Sequence, residues 1–142
     1  MKEVLVPVDG SDNATRAARH GAHLADRLQA RLCLFYVLPA ASNEVVGLAS
    51  LTKEEIEQAV QSSARRAFDR VRKDLGEELP AEVVEKTALG DPAMEILRYT
   101  EEHPDSHVVM GRRGLSAMRS LLLGSVSDKV IRHATSPVTV VT

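Results

Sequence analysis

Tryptophan is absent, and two Tyr and two Phe bring the aromatic share to only 3% of 142 residues. Surfaces that hold single-stranded nucleic acid stack bases on aromatic rings, so this chain has little material for one. A positive excess is missing as well. Eighteen Lys and Arg face 20 Asp and Glu, a formal net charge of −2. DNA-binding domains carry a basic surplus that draws them to phosphate, so nucleic acid is not expected as a partner. The one cysteine, Cys33, excludes an internal disulfide and a cysteine-built zinc site, and it fits a reducing compartment. Long apolar runs are missing too. Val4–Val8 stops at Asp9, short of the about 7–15 residues of a signal-peptide core and the about 20 of a membrane span. The expectation is a cytoplasmic protein without membrane insertion.

What is present is an ordinary globular balance, 44% hydrophobic and 27% charged residues, in a length that suits one domain over residues 1–142. Val4-Leu5-Val6-Pro7-Val8 is rich in β-branched residues and lacks polar alternation, which predicts a strand buried on both faces. Asp9-Gly10-Ser11-Asp12 has turn and cap chemistry. Small and apolar residues then recur at helical spacing (Ala14, Ala17, Ala18, Gly21, Ala22, Leu24, Ala25, Leu28) and predict a helix from Ala14 to about Leu28. Leu32–Leu38 predicts a second buried strand, closed by Pro39 and followed by a loop over 39–52. Thr52-Lys53-Glu54-Glu55 is a capping box for a long helix that Gly76 stops.

Val83–Leu89 is a more polar strand and is placed at a sheet edge. Asp91-Pro92 pairs a cap with proline in the first helical position and opens a helix to about Glu102. His107–Met110 predicts a short buried strand ending at Gly111. A last helix covers about Val126 to Ala134, and Pro137–Val141 makes the fifth strand. Strand–helix alternation predicts a parallel, Rossmann-like five-stranded sheet with helices on both faces. In such sheets ligands sit outside the carboxyl ends of the strands, where strand order reverses. The residues at those ends are Asp9, Val37-Leu38, Gly90-Asp91 and Gly111.

Gly111-Arg112-Arg113-Gly114 follows the fourth strand, and Gly124-Ser125 opens the last helix in a G-x-x-G-x9-G-S pattern. Glycines let main chain approach a ligand and take positive φ, and successive N–H groups form a concavity for anions. The first turn of the last helix adds N–H groups and the positive end of a dipole. Ser125 and Ser127 add hydroxyls, while Arg112 and Arg113 either add charge or lie in water. The stretch suits phosphate. The same glycines also serve plain geometry, ending a strand, making a turn and preceding a helix. Asp9 either faces this loop or closes an Asx-turn, two roles that can coexist. Pro7 lacks a ladder donor, which suits a strand end beside a ligand.

Other constellations are thin. The chain has no P-loop, and Ser11, Ser116 and Ser136 have no nucleophile elbow. His20 and His23 share a helix face without a third ligand. His103, His107 and His133 are read as surface or turn residues. Arg65-Arg66, Arg70 and Arg72-Lys73 alternate with Asp69 and Asp74 and are read as a solvated face.

Taken together, Val4–Ser11, Gly90-Asp91-Pro92, Val108–Gly114, Leu121–Ser127 and Ser136–Val141 make the chain resemble the universal stress protein family, in its nucleotide-binding branch, over nearly all of its length. The resemblance implies an α/β domain with sheet order 3-2-1-4-5, of the adenine nucleotide alpha-hydrolase-like kind, that binds ATP, ADP or AMP. It implies that main chain near Pro7 and Val37 holds the adenine and that Asp9 sits beside ribose and phosphates. Gly111, Gly114, Gly124, Ser125, Val126 and Ser127 would wrap the ribose and triphosphate. Val8, Met110, Arg112 and Arg113 complete the expected contacts. A magnesium or manganese ion near Asp9 would accompany the phosphates. Arg112-Arg113 departs from the family's pattern, where many members carry a small residue followed by His.

The resemblance further implies a nucleotide-dependent regulatory homodimer acting in the stress response, with a regulatory protein partner. The apolar last strand, at a sheet edge in that order, would pair with a second copy. Two alternatives stand beside this reading. One is a slow ATPase, since neither a general base nor a P-loop lysine is evident. The other is a nucleotide-independent module that regulates a membrane transporter or other partner.

Overall fold

The structure, a computed structural model, describes residues 2–40, 51–113 and 123–142. Within them the chain runs β1 (Glu3–Pro7), α1 (Asp12–Leu28), β2 (Arg31–Pro39), α2 (Lys53–Leu75), β3 (Val83–Gly90), α3 (Pro92–Glu102), β4 (Ser106–Gly111), α4 (Ser125–His133) and β5 (Val138–Val141). All neighbouring strands pair in parallel, in the order β3-β2-β1-β4-β5. This is the expected sheet, with the polar β3 at one edge and β5 at the other. Most of the loop expected over 39–52 lies outside the described residues. No described helix is long and apolar enough to cross a membrane.

Local chemistry sets the element ends. Ser11 caps α1, its hydroxyl accepting from the Ala14 amide at 3.1 Å, and Asp12 sits in the first turn, where the helix dipole favours an acid. The helix therefore starts before Ala14, the first residue of its apolar stripe. It ends at Gln29, which takes a left-handed φ of 53° without the glycine that usually marks such a stop. Thr52 and Asp91 cap α2 and α3 by accepting from Glu55 and Met94 amides, as their spacing predicts.

Alternate strand residues point to opposite faces, and two cores result. Val4, Val6, Leu32 and Leu34 pack under α1 and α2 with Ala18, Ala22, Phe68 and Val71. Leu5, Cys33, Phe35 and Val108 pack under α3 and α4 with Ala93, Ile96, Tyr99 and Val130. Burial pushes the Cys33 thiol up to about 12, so it stays protonated and unreactive at neutral pH. At the amino ends of the strands Glu3 is buried. Its carboxylate accepts from Arg31 Nε at 2.6 Å and from Ser106 Oγ at 3.2 Å, joining β2, β1 and β4.

His107 differs from its expected place at the surface. It lies half-buried in β4, with Nε2 2.7 Å from Thr139 Oγ1 on β5. Burial, with His20 of α1 as a lesser cause, holds its pKa below the ordinary value. The folded state therefore prefers neutral His107. Stability is complete above the unfolded pKa of about 6.5 and falls as pH drops through it. Urea midpoints measured from pH 7.5 to 5 should fall with acidification, and His107→Gln should flatten that slope. An identical slope in the variant would remove this assignment.

Candidate functional site

Parallel pairing places every strand's carboxyl end on one side of the sheet. β1 lies between β2 and β4, with α1 and α2 on one face and α3 and α4 on the other. A crevice opens where the connections diverge. Here it is a cleft of about 330 Å³, within the range of small-molecule sites. From β1 and α1 it is lined by Pro7, Val8, Asp9, Ser11 and Ala14. On the β2 side stand Phe35, Tyr36, Val37 and Pro39, with Pro92 and Ile96 of α3. On the β4 side stand Met110, Gly111, Arg113 and Gly124–Ser127. One flank is thus mainly apolar, and the other is built of main chain, hydroxyls and one cation.

Of the sequence candidates, Pro7, Val8, Asp9, Val37, Met110, Gly111, Arg113, Gly124, Ser125, Val126 and Ser127 line this one cleft. Arg112 is not among the lining residues. Its amide donates to the Val141 carbonyl at 3.0 Å and its carbonyl accepts from the Gly124 amide at 2.8 Å, so its main chain ties the end of β5 to the entry of α4. Its Nε is buried with no hydrogen-bond partner among the described residues. Gly114 lies outside the described residues, as do Ser116, Leu121 and Leu122.

The glycines serve different ends. Gly111 does not take positive φ. A Cβ built there would stand 2.9 Å from both Asn13 Cβ and the Asn13 carbonyl oxygen, so glycine is needed for the close approach of α1 to β4. Gly124 is the N-cap of α4 and supplies no side-chain cap. The first intrahelical bond runs from the Asp128 amide to the Gly124 carbonyl at 3.0 Å. The amides of Ser125, Val126 and Ser127 therefore stand ahead of the helical ladder at the positive end of the dipole. The Ser127 hydroxyl has a structural job: it donates to the Gly111 carbonyl at 2.7 Å and ties α4 to β4. Its contribution to an anion is then the amide rather than the hydroxyl.

Asp9 is exposed, and its Oδ1 accepts from the Ser11 amide at 2.9 Å. The Asx-turn role is therefore present, alongside a position on the cleft wall. Among the described lining residues Asp9 is the one carboxylate and Arg113 the one cation. Magnesium is often held by one or two carboxylates plus substrate phosphates. Among the described residues no group of three ligating side chains exists. Asp9 thus fits an ion that arrives on a phosphate, and the described residues hold no ready-made cage for a bare one.

Sequence reasoning missed Ser11, Ala14, Phe35, Tyr36, Pro39, Pro92 and Ile96 as lining residues. Pro39 and Pro92 directly follow stretches already marked as strand ends, so a signal for them existed. Phe35 and Ile96 are core positions by pattern, and no local signal says that a core side chain also walls a cleft.

The sequence model of the Universal stress protein family matches residues 1–142. A universal stress protein of Bacillus subtilis is 34% identical over 151 residues, covering 99% of this chain and 99% of its own. The solved structure of a universal stress protein from Lactobacillus plantarum superposes with a TM-score of 0.82 at 25% identity, covering 99% of this chain and 97% of that one. Another universal stress protein, solved in complex with cAMP, superposes at 0.66 with 24% identity, covering 99% and 95%.

Proposed function

The chain belongs to the universal stress protein family, and on that premise we propose that it binds an adenine nucleotide, ATP foremost, in the cleft between β1 and β4. The bound state is passed on by a regulatory homodimer in the stress response. The observation that carries this reading is the two-sided cleft: an apolar flank of Phe35, Val37, Pro39, Pro92 and Ile96 faces a flank of Arg113 and the first turn of α4. A planar apolar base suits the first flank. A phosphate chain suits the second, where main-chain amides and a helix dipole meet negative charge. Asp9, between them, suits a ribose hydroxyl or a magnesium ion on the phosphates. A protein of the same fold solved with cAMP makes an adenine nucleotide compatible with the architecture.

Regulation is favoured over turnover because the sequence has no P-loop lysine and, among the described lining residues, proton transfer falls to Asp9. Any hydrolysis is slow, and signalling rests on different contacts with ATP and ADP. Dimerisation is supported by β5. It ends the sheet, and Val138, Val140 and Val141 are only half-buried, an edge that a second copy would cover.

Acid extraction of the purified protein should release adenine nucleotide, and calorimetry should show saturable Mg-ATP binding with weaker adenosine binding. An extract without nucleotide, together with no heat on adding Mg-ATP, would overturn the reading. Light scattering should give twice the 15.5 kDa chain mass; a monomer at micromolar concentration removes the dimer.

A further inference from the structure

We propose that Arg70, on α2, is a positioning residue for the nucleotide cleft, acting through the β1–α1 turn; the proposal rests on the nucleotide reading above. None of the cleft's lining residues comes from α2. Arg70 nonetheless reaches across to the turn. Its Nη1 donates to the Gly10 carbonyl and its Nη2 to the Asp12 carboxylate, while its Nε stands 3.7 Å from Asp74 Oδ2 on its own helix. The guanidinium fork thereby joins the main chain of the turn to the first turn of α1.

What it holds is a part of the cleft wall that turns on a glycine. Gly10 has a φ of +85°, a conformation that L side chains avoid, and glycine exchanges readily between positive and negative φ. The residues on either side, Asp9 and Ser11, both line the cleft. They are locked to each other by the Ser11 amide donating to Asp9 Oδ1. A change in Gly10 dihedrals would break that bond and displace the Asp9 carboxylate relative to the Ser11 cap. A fork that grips a carbonyl and a carboxylate at once fixes such a turn better than a point charge does.

The tether is separable from the fold. Arg70 is 38% and Asp12 76% exposed, so cutting it leaves no buried charge behind. α1 and the end of α2 stay linked elsewhere, with Arg19 donating to Glu78 and to the Asp74 carbonyl and His23 beside Glu78. Because the turn carries Asp9, which meets ribose and phosphates, and not the apolar flank, its loosening should act more strongly on ATP than on adenosine.

The test compares the parent protein with Arg70→Ala and Arg70→Lys. ATP and adenosine affinities are read by calorimetry, and Ser11 amide exchange is read in the ligand-free protein. Arg70→Ala should weaken ATP by roughly 3- to 30-fold, weaken adenosine by a smaller factor and speed Ser11 exchange. Arg70→Lys should restore part of both effects. Unchanged ATP affinity overturns the proposal, and so does parallel loss of both ligands with a large drop in melting temperature. Should the parent bind neither ligand, the nucleotide reading fails. Ser11 exchange then decides the tether, and an unchanged rate in Arg70→Ala overturns it.

Discussion

Replacing Gly111 with Val should abolish ATP binding and lower stability by about 2–3 kcal/mol, the cost of overpacking a site that has no slack. The first added carbon would already stand 2.9 Å from Asn13 Cβ and from the Asn13 carbonyl oxygen, and 3.0 Å from its carbonyl carbon. Two of those atoms are main chain in the first turn of α1, so no rotamer change relieves the contact. Valine then adds two further carbons. Either α1 withdraws from β4 or the end of β4 moves into the cleft. The first course carries Ser11 and Ala14 away from the ligand. The second displaces the Gly111 carbonyl that anchors Ser127, and with it the first turn of α4. Both remove the surface on which a phosphate chain would lie. Gly111→Ala keeps the close contact but not the branched carbons, and its loss should be smaller, about 1 kcal/mol. Urea unfolding gives the stability, and calorimetry under conditions where the variant remains folded gives the affinity. If Gly111→Val bound ATP as tightly as the parent protein, the β4 end would have no part in the site.

At the other end of the sheet, Arg31→Met should cost about 2 kcal/mol. Glu3 is buried and has its charge met by Arg31 Nε, with Ser106 Oγ on its second oxygen. Removing the cation strands a carboxylate in the interior, which costs about 3–5 kcal/mol in fully buried pairs. The smaller figure here reflects the Arg31 side chain's 38% exposure, which lets water share the load. The same pairing with Glu3 raises the Arg31 pKa further above its ordinary value, so the cation is present at every pH of interest. The decisive variant is the double replacement. Glu3→Gln in the Arg31→Met background removes the stranded charge and keeps a carbonyl oxygen for Ser106, so the double variant should be more stable than Arg31→Met alone. A double variant less stable than the single one would show that Arg31 acts through packing of its stem and not through its charge. ATP affinity should be unchanged in both, because the pair lies at the amino ends of the strands and the cleft at the carboxyl ends.

The sequence alone was enough for the order of strands and helices, the caps at Thr52 and Asp91, the polar edge strand and the opening of the last helix behind Gly124. Each depends on dihedral preference, side-chain period or a bond spanning three or four residues, and such interactions act over one turn of chain whatever lies across from it. Only the tertiary structure decided the rest. Arg113 lines the cleft while Arg112 has its main chain taken up by Val141 and Gly124. Gly111 is required by Asn13, 98 residues earlier in the chain, and not by its own φ. His107 is half-buried against Thr139. Phe35 and Ile96 wall the cleft, and Arg70 of a supposed solvated face grips the turn that bears Asp9. These are contacts between residues remote in sequence. They follow from how closely α1 and α2 lie on the sheet and from the side to which each crossover turns, and local pattern carries no record of either distance.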